Sequence, residues 1–293
     1  MDLVVGATGF VGKRIAVRLR EEGRKVRALV RGGASRAEAK ELREAGTEIA
    51  DGDLTRPGTL AAACEGVDTV ITTATSMPHG RDDGLRRIDH DGTQALIEAA
   101  EHAGVKKFIY TSYSGNIRYD SPLDTAKRAC EERLLASQMR SVILRPSYFM
   151  EVWLSPALGF DPTQGRARIY GTGEAKSHYI SAFDVAEFAV ATAKADERMD
   201  IVLEMGGPEP LSQLDAVRLF EQATGKKFAL EHVPEAALEQ QYRAAADPLQ
   251  KTFAALTLGY AKGDLISQAQ TNAARYHLRL RSLRDFAASF RTP

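Results

Sequence analysis

The chain has 293 residues, 44% of them hydrophobic, and its 39 basic side chains balance its 39 acidic ones. A formal net charge of zero supplies no field toward nucleic acid or an anionic membrane, so the expected partners are small molecules or other proteins. Six scattered His residues and two distant cysteines, Cys64 and Cys130, predict neither a metal site nor a disulfide framework, and no apolar run approaches the roughly 18 residues of a membrane span. The first strand starts without a charged segment and an apolar signal ahead of it, which with free thiols predicts a cytoplasmic protein. Oligomeric state is left open.

In chain order, Val4-Val5-Gly6-Ala7-Thr8-Gly9-Phe10-Val11-Gly12 reads as strand, glycine turn and helix start. Gly6 lets the chain leave the strand, Gly9 lets backbone approach a pyrophosphate, and Gly12 lets the helix pack on the sheet. The helix N-terminus then offers free N–H groups and a positive dipole, so Gly6, Thr8, Gly9, Phe10, Val11 and Gly12 are predicted to cradle a dinucleotide. The G-x-x-G-x-x-G spacing differs from G-x-G-x-x-G. The next strand, Lys25 to Val30, is followed by Arg31, then Gly32, Gly33, Ser35 and Arg36. No acid occupies this stretch to accept ribose hydroxyls, and two guanidinium groups can meet a 2′-phosphate; NADP(H) is therefore favoured, with NAD(H) the alternative.

A short third strand, Thr47 to Ala50, leads to Gly52-Asp53-Leu54, a loop expected over the adenine edge, although Asp53 reads equally as a turn or cap residue. The fourth strand, Thr69 to Thr73, ends in Ala74, Thr75 and Ser76. Thr73, Ala74 and Thr75 are expected along the cofactor ribose and Ser76 near the substrate. Pro78 to Arg87 looks polar and mobile. A helix carrying Ala95, Leu96, Ala99, Ala100 and Ala103 stops at Gly104, and the fifth strand, Phe108 to Ser112, brings Ser112 to the carboxyl end where open α/β sheets bind ligands. This alternation predicts an α/β fold, a Rossmann-type doubly wound parallel sheet: residues 1–155 form the NAD(P)-binding domain, and 156–293 add late sheet elements and a smaller, mostly helical substrate-binding subdomain.

Ile143 to Trp153 runs from a buried strand into an aromatic loop. Pro146, Tyr148 and Phe149 are expected beside the nicotinamide, with Tyr148, Phe149 and Trp153 lining a flat apolar acceptor site; core packing is the alternative for each ring. Pro156 to Arg168 reads as a connecting loop. His178 to Ile180 resembles a short strand, Asp184 caps a helix Val185 to Lys194, and Ser212 with Asp215 approaches a capping box before a helix that Gly225 stops. From about Glu235 to Phe290 the pattern is helical.

Gly6 to Gly12, Ala99-Ala100 to Gly104-Val105-Lys106-Lys107, Thr111-Ser112, Lys127 with Glu131 and Leu134-Leu135, Leu144-Arg145-Pro146 and Phe149-Met150-Glu151 occur in that order. Together they resemble the NmrA-like atypical short-chain dehydrogenases, relatives of isoflavone-reductase-like enzymes, NADPH-dependent quinone reductases and triphenylmethane reductases, a group that also contains redox-sensing regulators. The resemblance runs to about residue 230. It implies an NADPH-dependent reductase of a quinone-like or other conjugated small molecule, or an NADP(H)-binding regulator without turnover. Short-chain dehydrogenases generally place a proton-donating Tyr four residues before a Lys; here Lys127 is present but Leu123 stands at the Tyr position, which disfavours ketoreductase and epimerase chemistry. The resemblance implies Lys127 as a cofactor ligand or general acid/base. The plain alternative is a surface Lys paired with Glu131. Tyr113, after Ser112, is a weaker candidate donor that also reads as substrate wall.

Overall fold

The structure is a computed structural model that describes residues 1–77, 83–196 and 199–291. The strands are β1 (Asp2–Val5), β2 (Val26–Val30), β3 (Glu48–Asp51), β4 (Thr69–Thr72), β5 (Lys107–Thr111), β6 (Arg140–Pro146), β7 (Phe160–Asp161), β8 (Arg166–Tyr170), β9 (Lys176–Ser177), β10 (Ile201–Met205), β11 (Leu211–Ser212) and β12 (Ala229–Val233). The helices are α1 (Phe10–Glu21), α2 (Lys40–Glu44), α3 (Leu60–Cys64), α4 (Thr93–His102), α5 (Pro122–Leu135), α6 (Met150–Trp153), α7 (Ala182–Lys194), α8 (Gln213–Thr224), α9 (Glu235–Ala244), α10 (Pro248–Lys262), α11 (Ala269–Arg275) and α12 (Leu283–Ala288).

A seven-stranded sheet has the order β10-β6-β5-β4-β1-β2-β3. The pairs from β2–β3 across to β5–β6 are parallel. This is the doubly wound class read from the sequence, and the strand order reverses between β1 and β4, the kind of switch point at whose carboxyl ends open α/β sheets bind ligands. β1, β4 and β5 are buried at every position, and their centres are apolar, as strands covered on both faces tend to be, with polar Asp2, Thr69, Thr72, Lys107 and Thr111 at their ends. β3 lies at the sheet edge and is exposed or half-buried along its length.

Two compact units divide the chain. The first comprises Met1–Ser112, Pro122–Leu144 and Val185–Leu203; the second comprises Tyr113–Ser121, Arg145–Asp184 and Glu204–Pro293. The division differs from a single boundary after residue 155 because the chain passes between the units repeatedly. The first unit has a core of Leu3, Leu60, Val70, Leu96, Phe108 and Ile143 among others. The second has its own core around Tyr148, Phe160, Phe220 and Tyr260, a three-stranded sheet β12-β8-β7, and the pair β11-β9.

Several local expectations are met where the cap chemistry is strong. Gly104 lies at φ +73 just beyond α4, Gly225 caps α8 at φ +70, and Ser212 with Asp215 forms a full capping box. Three are corrected. Of the stretch predicted to be mobile, Pro78 to Asp82 lie outside the described residues, whereas Leu85–Gly92 forms a π-helical segment running into α4. The strand near His178 is Lys176–Ser177 instead, and Ile180 makes only an isolated bridge to Phe149. Asp184 does not cap the helix: α7 starts at Ala182, the Ser181 hydroxyl accepts from Phe183 N, and the Asp184 carboxylate binds the Arg281 guanidinium and backbone N–H.

Candidate functional site

The glycine turn between β1 and α1 is built as its spacing demands. Gly6 turns off β1 at φ +84, and a Cβ there would lie 2.8 Å from Thr73 Oγ1 and 2.9 Å from Ala74 N. At Gly12 a Cβ would meet Gly6 O at 2.3 Å, so α1 packs against the turn with no room for a side chain. The turn closes through Gly9 N–H donating to Gly6 O at 2.9 Å. Gly9 caps α1 in extended conformation without a side-chain cap, and the first turn carries no acid. The leading N–H groups of α1 are therefore aimed outward at the carboxyl edge of β1, beside exposed Thr8 and Gly9 and a Phe10 ring that is 55% exposed. That arrangement fits a pyrophosphate. Thr73, Ala74 and Thr75 follow β4 next to it, and Thr73 Oγ1 would be 2.8 Å from a Cβ on either Gly6 or Gly12.

Arg31 is exposed at the end of β2, and the following loop turns through Gly32 and Gly33 at positive φ. Arg36 in the same loop pairs with Glu38 at 2.9 Å. Here the structure adds what sequence reasoning missed. Pairing of β2 with β3 places Asp51 opposite Val30, and its carboxylate accepts from Gly32 N at 2.9 Å. Two residues on, Asp53 accepts from Thr55 N at 2.8 Å and Thr55 Oγ1 at 2.9 Å, the turn role that was its alternative reading. Burial opposes the Asp53 charge, but the Thr55 bonds and the nearby Arg31 and Arg56 hold its carboxyl below the usual range. Leu54 is buried in the first core. The acid absent after β2 is thus matched by two acids at and just after the end of β3, Asp51 bonded to Gly32 N in the Arg31 loop and Asp53 bonded to Thr55 in its own turn, while Arg31 is exposed.

Lys127 is no surface residue. It is 5% exposed on α5, its Nζ donates to Thr111 O at 3.2 Å, and it lies 3.8 Å from Asp89 Oδ1. The alternative pairing with Glu131 is overturned: that carboxylate takes Arg128 at 2.7 Å, because positions three apart on α5 bring those two side chains together. Arg128 also reaches Ser112 Oγ at 3.5 Å. Asp89, fully buried, accepts from Ser76 N at 2.8 Å and Ser76 Oγ at 2.6 Å. Ser76 is therefore engaged with a carboxylate that the sequence did not single out. The only local signal was an acid within the helical run before Ala95.

The other candidates belong to the second unit. Tyr148 is 3% exposed and stacks edge-on against Trp153 and Tyr260, with ring centroids 4.7 and 4.9 Å apart. Its ring is core packing, and burial raises its phenol well above the ordinary value. Tyr113, Phe149 and Trp153 are half-buried, and Pro146 is buried. Burial holds the His178 ring below its ordinary 6.5 against the pull of Asp264, and Nδ1 accepts from Ile266 N at 3.0 Å, a bond an imidazolium cannot accept. A depressed folded-state value means that the stability linked to His178 is complete above 6.5 and falls as pH drops through the folded value. We expect His178→Gln to flatten the pH dependence of urea-unfolding stability just below that point; an unchanged slope would contradict the assignment.

Among the described residues no helix is long and apolar enough to cross a membrane. Comparison with known proteins finds that the model of the NmrA-like family matches residues 3–275. A photosystem II assembly factor from Trieres chinensis is 31% identical over 239 residues, covering 79% of this chain and 72% of its own. An NAD(P)H azoreductase from Xenophilus azovorans is 32% identical over 229 residues, covering 77% and 74%. The crystal structure of an NADPH-dependent quinone oxidoreductase from Escherichia coli complexed with NADPH superposes with a TM-score of 0.80 at 21% identity, over 99% of both chains, a likeness of fold.

Proposed function

The chain belongs to the NmrA-like family, and from that premise we propose that it is an NADPH-dependent oxidoreductase reducing a quinone-like or other conjugated small molecule. The observation that carries the reading is the first-unit cradle: an uncapped helix start behind Gly6, Gly9 and Gly12, with Arg31 exposed at the end of the neighbouring strand. The N–H groups of α1 hold the pyrophosphate, and Arg31, exposed at the end of β2, meets the 2′-phosphate. Lys127, in this reading, contacts the nicotinamide ribose. When bound, the cofactor supplies hydride. A conjugated acceptor spreads the incoming charge, so a protein phenol at position 123 is not required, and the chain's task is placement in a dry site. Half-buried Tyr113, Phe149 and Trp153 suit a flat apolar acceptor. The azoreductase relative, and the quinone oxidoreductase with the same fold, support this choice of acceptor class.

A second reading has support of its own. Leu123 in place of a Tyr, and relatives that are photosystem II assembly factors, suit a protein that binds NADP(H) and acts through a partner without turnover.

One experiment separates them: NADPH and NADH consumption against quinones, azo dyes and cationic dyes, with calorimetric titration of both cofactors on wild type and Arg31→Ala. Turnover supports the reductase, and tight NADPH binding without turnover moves the reading to the regulator. Arg31→Ala is expected to weaken NADPH roughly 10- to 100-fold, the worth of a charge-assisted contact, and NADH little. Equal losses would remove Arg31 from the phosphate.

A further inference from the structure

We propose that Asp89 is a positioning residue for Lys127, holding its ammonium at the carboxyl ends of β4 and β5 and tying it to the Ser76 turn. This rests on the reading of Lys127 as a cofactor-facing group. Asp89 sits inside the π-helical segment Leu85–Gly92, a geometry that shifts one residue out of α-helical register and recurs at functional sites. Its carbonyl and that of the preceding residue have side-chain partners. Cys130 Sγ donates to Asp89 O at 3.3 Å, and Thr93 Oγ1 donates to Ile88 O at 3.1 Å. A Cβ on Gly92 would lie 2.7 Å from Leu54 O, so the segment is also packed too closely to shift.

The carboxylate itself is divided in its duties. Oδ2 takes both Ser76 donors, whereas Oδ1 is buried without a hydrogen-bond partner and faces the Lys127 ammonium at 3.8 Å. Lys127 spends one proton on Thr111 O and lies 5.0 Å over the Tyr110 ring. The other ionisable groups around this cluster are Tyr110, Cys130, and Glu131 with its partner Arg128. A buried carboxylate oxygen left unbonded beside a buried ammonium is expensive unless the two charges compensate each other. Glu131 is taken by Arg128, so Asp89 is the counter-charge of Lys127. The clamp has a directional consequence. Moving Ser76, at the turn after β4, moves the carboxylate that fixes the lysine, and substrate or cofactor seated along that turn is thereby coupled to Lys127.

The test reads the lysine directly, without cofactor: rates of reductive methylation of individual lysines in the intact protein, followed by mass spectrometry. Lys107 is an internal reference, because it is equally buried in the same unit but is held by the carbonyls of Thr192, Ala193 and Ala195. Asp89→Asn keeps one carbonyl oxygen to accept from Ser76, removes the charge and puts an amide NH2 in place of the oxygen that faces Lys127. We expect the Lys127 rate to rise at least roughly tenfold while Lys107 is unchanged. Ser76→Ala, which leaves the charge but loosens the clamp, should give a smaller rise at Lys127 alone, and it carries the test if Asp89→Asn does not fold. An unchanged Lys127 rate, or Lys127 and Lys107 rising together, would overturn the proposal. With NADPH and an acceptor, Asp89→Asn should then lower kcat more than it raises KM. Wild-type protein that fails to bind NADPH would instead sink the reductase reading and leave the methylation result standing.

Discussion

Gly12→Ala is expected to abolish measurable NADPH binding and to destabilise the protein by about 1–3 kcal/mol, the usual range for overpacking. The added Cβ would sit 2.3 Å from Gly6 O and 2.7 Å from Gly6 C, both backbone atoms that cannot rotate away. Relief requires α1 to lift from the turn, and the N–H groups proposed to hold the pyrophosphate lift with it. Gly9→Ala is the informative contrast. Its Cβ would meet only Gly6 O at 3.2 Å, and its φ of −81 is open to any residue, so the apoprotein should lose little stability. If the pyrophosphate lies against Gly9, the same methyl group occupies ligand space and NADPH binding still falls. Urea unfolding and calorimetry on both variants separate the two roles. A Gly9→Ala protein that binds NADPH as wild type does would place the pyrophosphate elsewhere, and a Gly12→Ala protein with wild-type stability would contradict the packing described for α1.

Lys127→Met is expected to cost about 3–5 kcal/mol of stability, because it leaves the Asp89 charge buried without its partner, a penalty that exceeds the worth of the pair itself. Against a total stability of roughly 5–15 kcal/mol for a folded domain, that is a large fraction. Replacing both residues, as in Lys127→Met with Asp89→Leu, should recover part of the loss, since two apolar groups leave no orphaned charge. Denaturant midpoints for the wild type, both single variants and the double variant close the cycle, and additive losses would show that the two groups do not interact. A surface lysine paired at i+4 would have changed stability by only a few tenths of a kcal/mol, so the size of the effect alone distinguishes the buried arrangement from the exposed one.

The strand and helix order of the first unit was legible because each element carries its own signal. β1, β4 and β5 carry the apolar centres Leu3-Val4-Val5, Val70-Ile71 and Phe108-Ile109-Tyr110 that strands covered on both faces need, and Gly104 ends α4 through local backbone chemistry, as Ser212 and Gly225 bound α8 in the second unit. The elements misread were those whose conformation is set by distant partners. Asp184 reads as a cap from its neighbours, yet Arg281 claims its carboxylate; His178 reads as strand, yet the isolated bridges flank it, Ser177 to Asp264 and Ile180 to Phe149. Core packing of Tyr148 was open as a reading from its residue type, but the ring that encloses it was not, because Tyr260 is more than a hundred residues away in the chain.

The sequence by itself determined the glycine cradle, the doubly wound α/β order, the family, and the presence of a lysine without the usual tyrosine, because these depend on residue type at short spacing. Tertiary structure alone decided which charges meet. The β2–β3 register set Asp51 against the Arg31 loop, and the packing of α5 on the π-helical segment set Asp89 beside Lys127. Ion pairing depends on where side chains converge in space, and a carboxylate 38 residues upstream of its lysine leaves no periodic trace for a linear reading to detect.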